Sequence, residues 1–360
     1  MTRNILKSNS SFVGAAYISN KEAFHTTDFN LNLFNLVQDV SFAAAFPHER
    51  VKQVGSSSLA VDNTFYQPDI TLDISYLPNT DLSNERYNFF SAGTIIANGL
   101  RPALSGTSNA STNFYVFNDP TQGEDALGNL SFSTALNLTG YEILAFGNAY
   151  LTNYSLSYAV GGMPSISTSY ICSNMEFAEG TGNSMKSVAI NLESGNDNNV
   201  GRCNFNFSNG SKAPPIVHPI GGGSHVTMEN LQVGGQILSG VHYLQSVNLN
   251  VSLPRISAYG LGSNYAYNRK LQLPAQGSFT ANSLVSGFES GQITGLVENE
   301  SSYSFDIVLQ DTGSNKVLYR VEEAKLESYS YGMPVNDKMS FDSTFSFQVN
   351  EEGGLLISGS

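Results

Sequence analysis

Two stretches of the sequence, VQDVSFAAAFPHERVKQVGS at 37–56 and LQSVNLNVSLPRISAYGLGS at 244–263, align without a gap at a constant offset of 207 residues. Apolar residues at every second position open both stretches, which predicts a strand with one buried face. Each stretch continues through a proline and a Gly-Ser pair, which predict the end of the strand and a loop. The identical residues are Gln38/Gln245, Val40/Val247, Pro47/Pro254, Gly55/Gly262 and Ser56/Ser263.

A second pair of similar segments follows in the same order, AYLTNYS at 149–155 and AKLESYS at 324–330. Each precedes a Met-Pro pair, at 163–164 and at 333–334, and then an alternating segment. In KMSFDSTFSFQV at 338–349 one face carries Met339, Phe341, Ser343, Phe345 and Phe347 and the other carries only polar residues from Ser340 to Gln348, which predicts a half-buried strand. A hairpin that turns at the Met-Pro pair is expected in both places, and the two matched blocks together predict duplication of a whole domain.

The duplication predicts a division of the chain into two related domains. The first domain spans 1–178 with an N-terminal arm, and an inserted loop region at 78–139 includes one short helix around 91–104. A polar insertion or linker follows at 179–243, and the second domain spans 244–360. The linker is rich in Asn, Ser and Gly and contains Pro-Pro and Gly-Gly-Gly runs, which are typical of loops.

The composition favours the same fold class. The chain has 360 residues, of which 13% are charged and 41% hydrophobic, with 18 Tyr, 22 Phe and no Trp. Globular proteins carry roughly 25% charged residues, and here Asn, Ser, Thr and Gly replace the missing charge. This many aromatic residues excludes a disordered chain, and the shortage of Glu, Lys and Arg disfavours helical surfaces. The sequence therefore predicts a mainly β protein.

The net charge argues against a surface that grips nucleic acid. With 17 Lys and Arg against 30 Asp and Glu, the formal charge is −13, whereas nucleic-acid affinity rests on cationic side chains at phosphates. The most basic short stretch, Arg269-Lys270, is a pair rather than a patch. An acidic protein can line a path along which DNA slides, and the same charge also serves ordinary solubility.

The cysteines and the apolar segments of the sequence give little further information about the fold or the location of the protein. Cys172 and Cys203 do not form a disulfide scaffold, and the sequence leaves open whether they pair or remain reduced. The first residues are followed by Ser-Asn-Ser-Ser rather than an apolar stretch, so no signal peptide is predicted. No stretch of 18 apolar residues predicts a membrane-spanning helix.

No pattern of catalytic, cofactor-binding or metal-binding residues emerges, so we predict a protein that is not an enzyme and has no cofactor or metal. The spacing of His218 and His225 around a glycine-rich loop is not that of two metal ligands on a helix. That loop also lacks the lysine of a phosphate-binding loop. The five histidines of the chain are His25, His48, His218, His225 and His242.

The carboxylates leave one enzymatic alternative open. A β-sandwich glycosidase needs only two suitably spaced carboxylates, and Asp69 and Asp73 lie four residues apart, on one face of a predicted strand. Asp311, Glu322 and Glu323 are further candidates. We interpret all five as solvent-exposed residues of strands and loops.

Tyrosines at Tyr259, Tyr265 and Tyr267 leave a second alternative open. Aromatic rings at this spacing stack on sugar rings or on a protein partner. They are also ordinary strand residues, half in the core and half at an interface.

Two longer segments carry a family resemblance, FGNAYLTNYSLSYAVGGMPSISTSYICSNMEF at 146–177 and LPRISAYGLGSNYAYNRKLQLPAQGSFTANSL at 253–284. With their counterparts in the other copy they resemble the tail tube proteins of tailed bacteriophages, here in a duplicated-domain form. The resemblance implies two tandem related β-sandwich or barrel domains, each with at most a short helix. It also implies a virion structural protein that assembles into stacked rings and forms the hollow conduit for DNA ejection.

The resemblance implies partners and a location as well. Three chains of two domains each would form a trimeric, pseudo-hexameric ring, and six chains would form a hexamer. Other tail proteins, such as the tape measure and terminator proteins, are expected to bind the tube, and DNA passes through the lumen without specific binding. The protein is expected in the phage tail after synthesis in the host cytoplasm, with no membrane partner.

Two further functions compete with the tail tube. One is another tail component on the same fold, such as a distal tail or neck protein. The other is a carbohydrate- or receptor-binding β-sandwich of a phage fibre or baseplate. Fibre proteins are usually built from short repeats, whereas this repeat has the size of a domain, so the tail tube is the preferred prediction.

Overall fold

The structure of the protein is a computed structural model. The structure describes residues 11–18, 29–45, 49–52, 59–63, 69–79, 82–89, 95–96, 111–118, 139–179, 184–186, 202–205, 225–229, 242–259, 266–285, 302–310, 316–332, 339–349 and 354–359.

Within these residues the chain forms 22 strands and one helix. The strands are β1 (Ser11–Ile18), β2 (Phe29–Phe34), β3 (Val37–Ala45), β4 (Glu49–Lys52), β5 (Leu59–Asn63), β6 (Asp69–Tyr76), β7 (Ile95–Ile96), β8 (Ser111–Asn118), β9 (Glu142–Ala159), β10 (Ser165–Cys172), β11 (Asn174–Glu179), β12 (Ser184–Lys186), β13 (Arg202–Phe205), β14 (His225–Glu229), β15 (His242–Ser252), β16 (Arg255–Tyr259), β17 (Ala266–Leu271), β18 (Ala275–Val285), β19 (Tyr303–Gln310), β20 (Lys316–Gly332), β21 (Ser340–Val349) and β22 (Leu355–Gly359), and the helix is α1 (Ser83–Phe89).

A long antiparallel sheet runs through both halves of the chain. Its eight strands lie in the order β3-β6-β10-β9-β15-β18-β21-β20, and each contacts the next through an antiparallel ladder. Burial alternates residue by residue along β6 and β21, as expected for strands with one face on the core. The prediction of a mainly β protein is confirmed.

Two long strands belong to this sheet and also to a second layer. The first part of β9 pairs with β8 and β11, and its later part pairs with β10 and β15. The first part of β20 likewise pairs with β19 and β22, and its later part pairs with β21. Where each strand changes partners, a residue adopts a positive φ, 50° at Asn148 and 55° at Glu323. Such a conformation bends and twists the strand, as β-bulges do, and so directs it from one layer into the other.

The core lies between the two layers and is rich in aromatic residues. Phe305 of β19 contacts Phe279 and Phe345 of the long sheet, with ring centroids 4.7 and 4.5 Å apart. In the first half, Phe114 of β8 contacts Tyr170 of β10 at 4.7 Å. Ring contacts across the two layers are those of a β-sandwich.

The strands predicted from the two matched stretches are present as β3 and β15. Pro254 separates β15 from β16, as predicted, whereas Pro47 lies outside the described residues. The hairpin predicted at 163–164 is confirmed, because β9 pairs with β10 on either side of it. The second hairpin is formed by β20 and β21, and its Met-Pro pair at 333–334 lies outside the described residues.

The predicted position of the helix is wrong. Of the range 91–104 the structure describes Ile95–Ile96, a short strand paired with β22, whereas α1 spans Ser83–Phe89. Two adjacent β-branched residues favour a strand. At the start of the helix the side chain of Asn79 accepts a hydrogen bond from the backbone N–H of Ser83 at 3.3 Å, which satisfies one of the N–H groups that the first turn leaves without a helical partner.

The predicted domain boundaries stay a prediction, but strands lie in both regions expected to be loop or linker. The range 78–139 contains α1, β7 and β8, and the range 179–243 contains β12, β13, β14 and the start of β15. β14 pairs with β19, and β13 pairs in parallel with β2. Short segments of these regions thus belong to the sheets.

Candidate self-assembly edges

The two halves of the long sheet have the same strand register. In the first half Val40 of β3 lies opposite Ile74 of β6, and in the second half Val247 of β15 lies opposite Ala281 of β18. Both partners are 207 residues further along the chain (247 − 40 and 281 − 74). The register shift in each pair also falls at corresponding positions. The offset seen in the sequence therefore describes paired strands as well as similar residues.

The same correspondence holds for the next pairs of strands at an offset of 175 residues. Asn153 of β9 lies opposite Ser169 of β10, and Ser328 of β20 lies opposite Thr344 of β21 (328 − 153 and 344 − 169). The two residues with positive φ, Asn148 and Glu323, differ by the same 175 positions. Equivalent strands thus bend at equivalent residues.

The two halves join by direct pairing of β9 with β15, which we call the internal junction. Leu156 lies opposite Leu249 and Tyr154 lies opposite Val251. All four side chains are fully buried. The last strand of the first four-stranded half is therefore bonded to the first strand of the second half.

The strands equivalent to those of the internal junction lie at the two ends of the long sheet. Among the described residues β3 pairs with β6 alone, and the later part of β20 pairs with β21 alone. Phe42 of β3 is 48% exposed and Tyr329 of β20 is 43% exposed, whereas their counterparts Leu249 and Tyr154 are 0% exposed. We call these two ends the β3 edge and the β20 edge.

The hairpin of β16 and β17 forms further contacts with the first half beside the internal junction. Arg255 donates a hydrogen bond to the backbone carbonyl of Leu151 at 2.9 Å, and its guanidinium lies 5.2 Å from the ring centroid of Tyr150. Arg269 donates to the backbone carbonyl of Cys172 at 3.3 Å. Burial lowers the pKa of Arg255 to about 10, so the cation persists at neutral pH. Arg255 and Arg269 of the second half thus bind backbone of the first half.

One member of the basic pair noted in the sequence, Arg269, therefore has a structural role. Arg269 is buried beneath the hairpin, and Lys270 beside it is exposed. The alternation along β17 separates the two side chains onto opposite faces. From the sequence, Arg269 was considered only as a possible contact for nucleic acid, and its contact with the first half was missed.

A buried polar cluster attaches α1 to the long sheet. Tyr76 donates a hydrogen bond to Glu85 at 3.1 Å, Asn88 donates to the Tyr76 hydroxyl at 2.7 Å, and Tyr170 donates to the Asn88 carbonyl oxygen. Burial, with the nearby Glu85, raises the pKa of Tyr76 well above its usual range. These four side chains are enclosed in the core, so their role is to position the helix.

The carboxylates considered as a glycosidase pair are on the surface. Asp69 and Asp73 are exposed on the outer face of β6, and Glu323 is exposed at the bend of β20. Glu322 is partly exposed, and Asp311 lies outside the described residues. The interpretation of Asp69 and Asp73 as a solvent-exposed strand face is confirmed.

The structure describes only some of the tyrosines and histidines considered in the sequence analysis. Tyr259 and Tyr267 belong to β16 and β17, and Tyr265 lies outside the described residues. His225 and His242 begin β14 and β15. The described residues contain no group of three His, Cys, Asp or Glu side chains able to hold a metal ion.

Cys172 is a buried free thiol, which decides whether the two cysteines of the chain form a disulfide. Burial raises its pKa to about 12. Cys172 and Cys203 are therefore not joined in a disulfide.

Comparison with known proteins gives no family for this chain: neither a scan with protein-family models nor a search of curated proteins found a match. In the part of the chain that the structure describes, no helix is long and apolar enough to cross a membrane.

Proposed function

We propose that this protein is a virion structural protein, a tail tube subunit that assembles into stacked rings and forms the hollow conduit for DNA ejection. The observation that carries the proposal is the long sheet, which consists of two equivalent four-stranded halves and ends in two exposed edges equivalent to its own internal junction. A sheet of this kind extends by adding further copies.

Exposed edges of this kind favour assembly. A strand edge presents unpaired backbone N–H and C=O groups, and proteins that remain monomers protect such edges. Head-to-tail contact between two different surfaces forms a ring when the rotation closes, and closing a sheet removes its edges. Three chains would supply six equivalent four-stranded halves, which supports the pseudo-hexameric ring.

The proposal also includes the duplication of a domain within the chain. The equal offsets in register support two related domains within one chain, joined as neighbouring subunits of a ring would be. The formal charge of −13 suits a conduit, because an acidic wall repels phosphates and lets DNA pass without binding. The tape measure and terminator proteins of the tail are the proposed further partners, and the virion is the proposed location.

Negative-stain electron microscopy of the purified protein tests the proposal. Rings or tubes with a central hole wide enough for a DNA duplex are the expected result. Monodisperse monomers at high protein concentration would contradict it. A glycan array run on the same preparation separates the alternative, since a receptor-binding β-sandwich would give specific signals without forming rings.

A further inference from the structure

We propose that the β20 edge of one chain pairs with the β3 edge of a second copy of this chain, in the register of the internal junction. This inference rests on the proposed function, which requires self-assembly, and adds the surface and the register through which it occurs. The occupant of each edge is argued from the internal junction, which already joins a strand equivalent to β20 with a strand equivalent to β3.

The register follows from the two offsets. At the internal junction Leu156 lies opposite Leu249. Adding 175 to the first number and subtracting 207 from the second places Tyr331 opposite Phe42 of the neighbouring chain. The same operation on Tyr154 and Val251 places Tyr329 opposite Ala44, and on Ser155 and Asn250 it places Ser330 opposite Ala43.

The side chains at these positions fit one another in size and character. Phe42 and Tyr331 form an aromatic cross-strand pair, which is among the favourable combinations in antiparallel sheets. The large Tyr329 faces the small Ala44, as the large Tyr154 faces the smaller Val251 inside the chain. Phe42 and Tyr329 are about half exposed in the single chain, and pairing would remove both from water.

The hairpins support the same assignment. β4 and β5 follow β3 as β16 and β17 follow β15, with Val51 opposite Val61 and, 207 residues on, Ala258 opposite Asn268. The β16–β17 hairpin binds the neighbouring half through Arg255. By the same offset, the β4–β5 hairpin would cover β20 and β21 of the neighbouring chain.

Disulfide cross-linking tests the register. The variant Ala43→Cys/Ser330→Cys, in a Cys203→Ser background, places two exposed strand residues opposite each other only between chains. After mild oxidation we expect covalent multimers on a non-reducing gel, with closed trimers as the end product. The pair Ala43→Cys/Ser328→Cys is displaced by two residues along the strand and is expected to cross-link at least tenfold less.

The internal junction supplies a matched control. Asn250→Cys/Ser155→Cys occupies the equivalent positions within one chain, so it should oxidise to a monomer of unchanged mass. Efficient cross-linking there, with none between Ala43→Cys and Ser330→Cys in assembled protein, overturns the proposed pairing.

A charge at the edge tests the same contact without cysteines. Phe42→Lys should abolish rings and leave a folded monomer with an unchanged circular dichroism spectrum. Phe177 is 78% exposed on β11, a strand that pairs with β9 and not with β3 or β20, and Phe177→Lys should leave ring formation intact. Rings of normal yield from Phe42→Lys would overturn the proposal.

The outcomes separate this inference from the proposed function. Rings that form without cross-linking between Ala43→Cys and Ser330→Cys refute the register and leave the tail tube standing. In-register cross-linked trimers that never stack into tubes support the pairing and contradict the conduit.

Discussion

A size exchange at one strand pair tests whether the two halves are equivalent in packing as well as in register. In the first half Ile70 of β6 lies opposite Cys172 of β10, and at the equivalent position in the second half Gly277 of β18 lies opposite Phe347 of β21. A Cβ atom added to Gly277 would overlap the ring of Phe347. Each pair thus combines a larger and a smaller side chain, with the order reversed.

The overlap between a Cβ atom on Gly277 and the ring of Phe347 sets the expected changes in the free energy of unfolding. Gly277→Ala should destabilise by ~1–3 kcal/mol, because overpacking a filled core displaces side chains. Phe347→Cys should cost about 3–5 kcal/mol, because it removes a buried ring and leaves a void. Gly277→Ile/Phe347→Cys transplants the first-half pair, so its cost should fall to about 1.5 kcal/mol or less, as for volume-conserving exchanges. A double-mutant cycle with Gly277→Ile should therefore give a coupling energy of at least ~2 kcal/mol.

Urea denaturation followed by circular dichroism measures these changes. The Phe42→Lys background keeps assembly from contributing to the transition. Gly162→Ala is the control, because its added Cβ would lie 3.4 Å from the carbonyl oxygen of Ala159, an ordinary contact, and its effect should stay within about 0.5 kcal/mol. An unchanged midpoint for Gly277→Ala, or a double variant as unstable as the summed single variants, would refute the equivalence.

Three further predictions concern buried tyrosines and the buried thiol. The hydroxyls of Tyr154 and Tyr319 are hydrogen-bonded at 3.2 Å in the core, so Tyr154→Phe and Tyr319→Phe should each cost ~1–2 kcal/mol in urea denaturation, and the double variant should cost less than their sum. Burial raises the pKa of Tyr76, Tyr154 and Tyr319 well above 10. The unfolded chain ionises first, at about pH 10, so the free energy of unfolding should fall as pH rises above that value. Absorbance at 295 nm should then show part of the tyrosines ionising only on unfolding, and a single titration near pH 10 in folded protein would contradict this. In a Cys203→Ser variant, Cys172 should not react with a disulfide reagent at about pH 8, since its pKa of about 12 keeps it protonated, and denaturation should release one reactive thiol.

Much of the strand structure was predictable, because it depends on local patterns. Alternation predicted β3, β15 and β21, and the Met-Pro pair at 163–164 marked a hairpin. The repeated stretches at 37–56 and 244–263 gave an offset that the strand registers share. The strands and the hairpin depend on patterns within a few dozen residues, and the offset is a direct comparison of two such patterns.

The helix and the polar cluster that attaches it to the long sheet were harder to predict from the sequence. Ser83–Phe89 is a helix largely because Asn79 accepts a hydrogen bond from its first N–H and because Tyr76 of the preceding strand and Tyr170 of a distant strand bind its buried polar side chains. A seven-residue helix has too little intrinsic stability to be evident in the sequence. The contact of Arg269 was likewise not predicted, since nothing local indicates that its guanidinium donates to the backbone carbonyl of Cys172.

The sequence alone determined that β3, β15 and β21 are strands, which of their faces are apolar, and which of the repeated segments correspond to one another. Only the tertiary structure decided the neighbours: that β9 pairs with β15, and that β3 and β20 are left at the ends of the sheet. The reason is physical. Alternation reports which side of a strand is buried, whereas the hydrogen bonds along its edges join backbone groups that every residue type carries. The choice of partner strand is therefore made by packing over the whole molecule.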